Sequence, residues 1–392
     1  MVIELDGYPK SENQTWLRLT VLVVFVLIFT SMKTIRFPIP YPAGLFAINY
    51  DQGIIKRALV GSILFPGDTP ISYATIALVS VVIFLVLLFL LAATSAQILR
   101  SHPELFLIVL LYTSSFGVVF LASTTGYFDH ILLIFAFLSV LPTGAIFRIL
   151  SVLLLGGIAI FVHEAAIVMV MPVMYFAMYL TLKSFGLKVS LPIVAIVVAI
   201  HAGLTYWVGN YGILSVEEVK MLRETLQARA DFELIDLPFQ VLSTIPAIES
   251  QHTLRTINTI AHVDSIIVVL PVLAPLLAVT FLALKQGAAG STTIVFATAA
   301  ALSPIAMRAF GHDVHRWDSF ALCTTYLTLS IVLREVLGPN PVRLAWQRIT
   351  PCLIVLLIVG ASTSAYLFLG QDIRGFPFLD ARSDIVGLLM GR

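Results

Sequence analysis

From Ser72 to Leu99 the chain carries no charged side chain, and apolar runs of comparable length recur along most of the sequence. A helix crossing about 30 Å of hydrocarbon takes roughly 17 to 25 apolar residues. That criterion selects about 11 spans, with approximate limits 16–33, 72–99, 105–123, 128–144, 147–163, 166–183, 189–208, 265–285, 291–309, 319–337 and 349–370. A lipid-embedded segment must satisfy its own backbone polar groups, so such runs form helices. The expected fold class is an all-α polytopic membrane protein, a single integral membrane domain over residues 1–392. Composition supports this, with 59% hydrophobic and 11% charged residues, whereas a soluble domain carries about 25% charged residues.

Several classes are excluded early. A formal net charge of +1 and the lack of a basic tract argue against a nucleic-acid partner. There is no Walker motif or glycine-rich nucleotide loop, and no convincing internal repeat of the kind built into many transporters. Cys323 and Cys352 both fall inside apolar spans and read as packing residues. The first apolar stretch is preceded by mixed charge and followed by Met32-Lys33, so it reads as an uncleaved helix rather than a secretory signal. The sequon at Asn13 falls on the side assigned to the cytoplasm.

Lysine and arginine in short loops orient the spans. Arg100, Arg148, Lys183, Lys188, Lys285, Arg334, Arg343 and Arg348 fall in the even-numbered loops, and the third and fifth loops hold none. The N-terminus is therefore expected in the cytoplasm, and a bacterial inner (plasma) membrane is the expected location. Lys33, Arg36, Lys56 and Arg57 depart from this rule by lying in the first outer loop, which points to an anionic partner there. Two outer loops are long enough to hold structure, residues 34–70 and 209–263. In the first, Asp51 precedes a helical stripe of Ile54, Ile55, Ala58, Leu59, Ser62 and Ile63, with Lys56 and Arg57 off it. This predicts an interfacial juxtamembrane helix. In the seventh loop, Ser215 and Glu218 form a capping-box pattern opening an amphipathic helix to about Ala230, with Val219, Leu222 and Leu226 on its apolar face.

On this topology the polar clusters gather on the outer side, with seven of the eight histidines. Asp51 is either the cap of its helix or a general base or metal ligand. Lys56 and Arg57 are interfacial anchors or a phosphate grip. Asp129, followed by His130, either serves the dipole of its helix or faces Asp51 as a second carboxylate. His163-Glu164 has apolar flanks and reads as a hairpin tie or as groups facing a polar cavity. His312, Asp313, His315, Arg316, Trp317 and Asp318 form the densest cluster, read as a turn in which Arg316 and a histidine bind phosphate and Trp317 offers a face to a sugar. Arg255 joins them as a candidate binding residue, whereas His252 and His262 read as decoration of a solvated loop.

This layout resembles the GT-C superfamily of membrane glycosyltransferases. The match is Asp51 with the helix after it, Asp129 before the fourth span, and the long outer loop 209–263, although no D-x-D motif is present. The resemblance implies an inverting transfer from a polyprenyl-phosphate-linked sugar donor at the extracytoplasmic face, in cell-envelope glycan or glycolipid assembly. The acceptor would be a glycan, lipid or protein, with membrane lipids as further partners. Asp51 would then be the catalytic base, with support from Asp129, His163 and Glu164. Lys56, Arg57, His130, Arg255, His312, Asp313, His315, Arg316 and Trp317 would bind substrate. A divalent cation (Mg or Mn) would be held by Asp51 and Asp129. The chain is also similar to O-antigen and exopolysaccharide repeat-unit polymerases and ligases. A transporter or flippase of an anionic or lipid-linked substrate is the reading from a different class.

Overall fold

The computed structural model describes residues 10–51, 53–142, 144–243, 261–309, 314–344 and 346–363. Among them the structure is helical, and its one β-type pairing is an isolated parallel bridge between Ile71 and Ala230. Six helices are long and apolar enough to cross a membrane, or seven if one bent pair counts as a single span. Several long apolar helices of this kind mark an integral membrane protein.

In chain order the helices are α1 (Lys10–Met32), α2 (Pro40–Ala47), α3 (Leu59–Leu64), α4 (Tyr73–Ser101), α5 (Phe106–Thr113), α6 (Phe116–Ser123), α7 (Asp129–Val140) and α8 (Ala145–Val162). They continue as α9 (Ala166–Met169), α10 (Met171–Lys183), α11 (Leu187–Tyr211), α12 (Val216–Gln227), α13 (Leu237–Gln240), α14 (Ala261–Gln286), α15 (Ser291–Ala306), α16 (Val314–Val332) and α17 (Trp346–Thr363). A π-helical turn, Leu333–Leu337, extends α16.

The centre of the bundle is α16. In the window from Val314 to Leu337, 83% of residues are buried, against at most 44% in any other long apolar helix. It packs against α14, α15 and α6, and every side chain from Val314 to Val332 except His315 is buried. Helices nearer the periphery turn large apolar side chains outward, including Phe25, Phe89, Phe147, Ile196 and Val295. Such surface is costly in water and neutral in lipid.

Several expected spans are interrupted, and the breaks have local causes. Residues 105–123 bend by 45° between α5 and α6, where Ser114 returns its hydroxyl to Leu110 O at 2.9 Å. A hydroxyl bonded to a carbonyl four residues back bends helices. At His163 the backbone is extended (φ −162°, ψ 121°), which ends α8 and divides the hairpin before α9. The fourth span shortens to the 12 residues of α7, about 18 Å of helix.

The first loop corrects the expected juxtamembrane helix. Only Leu59–Leu64 is helical, because Arg57 adopts a left-handed conformation at φ 61° and no helix runs through it. Lys56 and Arg57 are buried rather than at a water-facing edge. An additional helix, α2, forms where Pro40 and Pro42 occupy its first turn, a position that proline favours. The capping box of α12 is present as expected: Ser215 Oγ accepts from Glu218 N and Glu218 Oε2 from Ser215 N. Leu222 and Leu226 face inward, and the helix ends at Gln227.

The two long loops clamp together at one end of the bundle. Ile71 N donates to Arg229 O at 2.9 Å and Asp231 N to Ile71 O at 3.0 Å, while α13 packs on α2. Gly212 lets the segments close up, since a Cβ there would sit 2.6 Å from Val208 O and 2.9 Å from Lys56 N.

Candidate functional site: paired charges beneath the loop layer

Beneath the clamped loops, four separate stretches of chain bring charged groups into the apolar bundle. The first contributes Arg57. Its Nε donates to Glu164 Oε2 at 3.1 Å and a terminal nitrogen to Oε1 at 2.5 Å. Glu164 is presented by the extended break after α8. The left-handed backbone at Arg57 is sterically costly for a residue with a Cβ, and the bidentate pair helps hold it.

The second pair joins α7 to α16. Gly126, at φ +97°, packs so tightly on Pro38 that a Cβ would lie 2.7 Å away. This turn delivers Asp129 to the first position of α7. Arg316 Nε donates to Asp129 Oδ2 at 2.6 Å and its terminal nitrogen to Oδ1, with both side chains buried. The guanidinium lies between aromatic faces, 5.5 Å from the Tyr127 ring and 5.0 Å from Trp317. Tyr41 stacks obliquely on Tyr127 at 5.7 Å. Two residues beyond Arg316, buried Asp318 pairs with Arg308.

His163 lies in the electrostatic field of both pairs. Burial, then the positive charges of Arg57, Arg316 and Lys56, hold its imidazole well below the ordinary value against the opposing pull of Glu164. The ring is therefore neutral at physiological pH. Its Nδ1 accepts from Ala165 N at 3.2 Å, which places the ring proton on Nε2. The 3.6 Å approach of Nδ1 to Glu164 is accordingly no ion pair and corrects the expected tie within the His163-Glu164 hairpin. For Glu164, burial alone would raise the carboxyl, but Arg57, through its charge and its hydrogen bonds, and Lys56 outweigh it and hold the group far below its usual range. Three cations, Lys56, Arg57 and Arg316, thus meet two carboxylates, Glu164 and Asp129.

Asp51 lies apart from these pairs at the loop rim. Its Oδ2 accepts from Asn49 Nδ2 at 2.7 Å and from Arg229 at 2.9 Å. Its side chain is 37% exposed. Oδ2 is thus anchored by two donors.

The expected metal pairing of Asp51 with Asp129 does not fit this geometry. Both oxygens of Asp129 accept from Arg316 and Asp51 is bound by Arg229. Among the described residues no group of three His, Cys, Asp or Glu side chains is placed to hold a metal ion.

Other expected binding residues are reassigned. His130 is buried, with Nδ1 3.1 Å from Tyr127 O and Nε2 2.8 Å from Leu121 O, so both ring nitrogens are tied to backbone. Trp317 is buried against Arg316 rather than offered as an open face. His315 to Asp318 belong to the first turns of α16 rather than to a polar turn, with the His315 ring 5.9 Å from Phe116. Arg255, His252, His312 and Asp313 lie outside the described residues, as do the side chains of His262 and Asp264. Sequence reasoning missed Arg229 as the partner of Asp51 and Tyr41 and Tyr127 as the aromatic lining. The aromatic-rich segments before Asp51 and Asp129 were the available signal.

Comparison with protein-family models, with curated proteins and with solved structures finds no match to this chain.

Proposed function

We propose that the chain is an integral-membrane glycosyltransferase that takes a sugar from a polyprenyl-phosphate donor at the extracytoplasmic face of a bacterial inner membrane. The observation that carries this reading is the convergence of Lys56, Arg57, Asp129, His163, Glu164 and Arg316 from separate segments at one end of an apolar bundle. A lipid phosphate is an amphipathic anion, and its recognition calls for cations fixed at the margin of an apolar medium. The remaining elements fit about 11 crossings when α5–α6, α7, α9–α10, α15 and α17 are counted as passes.

Asp51 is the base. It takes the proton of an acceptor hydroxyl on Oδ1 while Asn49 and Arg229 hold Oδ2. The hydroxyl oxygen bonds to the anomeric carbon with inversion as the bond from that carbon to the donor phosphate oxygen breaks. The departing lipid phosphate gains negative charge. Lys56, Arg57 and Arg316, together with the Nε2–H of His163, stabilise it without having to reorganise. The pair with Glu164 engages Nε and one terminal nitrogen of Arg57, which leaves the other terminal nitrogen outside that pair. Glu164 and Asp129 are positioning residues for the guanidiniums.

A metal-free repeat-unit polymerase or ligase shares the same phosphate-binding half. Full engagement of Asp129 by Arg316 favours it over a metal-dependent transferase. The test is transfer from a radiolabelled polyprenyl-phosphate sugar in membranes carrying the wild type or D51N. Loss of a general base is expected to lower the rate by about 10²- to 10⁴-fold, with equal amounts of folded protein. Products of one added sugar or of many separate transferase from polymerase. Undiminished activity in D51N would sink the assignment of the base, and movement of intact donor across vesicles without chemistry would replace both readings with a flippase.

A further inference from the structure

The opposite end of the bundle has a cavity of its own, about 240 Å³, between the end of α4 and the end of α16. Its polar lining comprises Gln97, Ser101, His102, Ser330 and Arg334, with no carboxylate among the lining residues. The charge around it is unbalanced. Glu335 Oε1 accepts from Arg334 at 2.6 Å and from Arg148 at 3.1 Å, so one carboxylate oxygen serves two guanidiniums.

Among the described residues, three nitrogens of this cluster are buried without a hydrogen-bond partner: Arg334 Nε, Arg148 Nη1 and His102 Nε2. A buried polar atom left unpaired costs about 1–3 kcal/mol, and several at one place imply a missing partner. The His102 ring is almost wholly buried and fixed in orientation. Its Nδ1 lies 3.2 Å from Glu104 Oε1, which also accepts from Val342 N at 2.8 Å. Burial tends to raise the Glu104 carboxyl, but the His102 and Val342 bonds hold it below its ordinary value, so its negative charge is committed to His102. The surroundings reinforce the positive sign: Arg100, Lys183, Lys188, Lys285 and Arg343 fall in the segments at this same end.

We infer that this cavity is a second ligand site, taking a phosphate-class anion on Arg334 and His102 with hydroxyl donors from Ser101 and Ser330. Its volume falls below the roughly 300–1,000 Å³ typical of sites for larger ligands, so it suits a phosphate group with little attached body. The phosphate can come from solution or from an anionic phospholipid headgroup. The site is independent of the transfer reaction proposed for the other end.

The test uses the purified full chain in two arms. One measures binding of ³²P-labelled inorganic phosphate to the chain in phosphatidylcholine nanodiscs. The other measures, by native mass spectrometry, phosphatidylglycerol retained by the detergent-purified chain. The expected result is binding in one arm, weakened at least about tenfold by H102Q or R334Q and unchanged by K220Q, which removes an exposed cation of α12 that belongs to neither site. A signal in the first arm assigns a soluble phosphate, and one in the second assigns a headgroup. H102Q leaves the Arg148–Glu335 pair in place and guards against unfolding of R334Q. Absence of binding in both arms, or equal binding by folded H102Q, overturns the inference.

Discussion

Arg316 and Asp129 are each almost wholly enclosed by protein, and this sets what a substitution there does. Removing one member strands the other as an uncompensated charge, a loss of about 3–5 kcal/mol in buried pairs. D129N and R316Q should each lower the thermal midpoint in detergent, and the double variant D129N/R316Q should recover much of that loss. Under the proposed function, transfer activity should stay absent in the double variant, which lacks the cation assigned to the leaving phosphate. Recovery of activity along with stability would make the pair purely structural. His163 and Glu164 add a pH dependence with a definite sign. Both are depressed in the fold, so below the unfolded values the unfolded chain binds more protons and stability falls with falling pH. His163 governs the first decline, beginning as pH drops through its ordinary value of 6.5, and Glu164 adds a second below its ordinary value of 4.5. Midpoints measured between pH 7 and pH 4 should therefore slope downward toward acid, and H163Q should flatten the upper part of that slope.

Gly212 shows how a whole element can depend on one missing side chain. An alanine Cβ at that position would press on Val208 O and on the Lys56 backbone, and backbone cannot swing aside as a flexible side chain can. G212A should displace the loop carrying Lys56 and Arg57 while leaving the long helices formed. Transfer activity should drop at least about tenfold, the effect of losing roughly 1.4 kcal/mol of transition-state stabilisation, with helical content by circular dichroism unchanged. An active G212A would show that the loop can shift without consequence. At this scale the sequence was legible where the determinants are local. Ser215 and Glu218 announce their helix because the cap and its partner lie three residues apart. The loop at Arg57 was not legible, since its left-handed turn is tied to Glu164, 107 residues away. The start of α16 was misplaced for a related reason. His315, Arg316 and Asp318 look like an aqueous turn in the sequence, but Arg316 and Asp318 are neutralised by Asp129 and Arg308 and so continue the helix.

At the scale of the molecule, the two ends of the bundle differ in how they hold charge. The loop end balances its buried cations against Glu164, Asp129, Asp318 and Asp51. Among the described side chains, the opposite end carries Arg100, Arg148, Lys183, Lys188, Lys285, Arg334 and Arg343 against Glu104 and Glu335. Periodicity and composition were enough to read the helical membrane class, and side-by-side packing explains why the spans could only be approximate. Long helices at the lipid boundary must be apolar throughout, whereas α7 and the bent α5–α6 pair lie inside the bundle and escape that length requirement. The charge asymmetry predicts an orientation, because lysine and arginine in short loops tend to remain on the cytoplasmic side. The loop end should accordingly face outward, and single cysteines at exposed positions can test this. In a C352S background, which removes the exposed native thiol while Cys323 stays buried, D68C at the loop end should react with a membrane-impermeant maleimide on intact cells. K188C, in the first turn of α11, should react only after permeabilisation. The reverse pattern would place the paired charges on the cytoplasmic face, where an extracytoplasmic lipid-linked donor could not reach them.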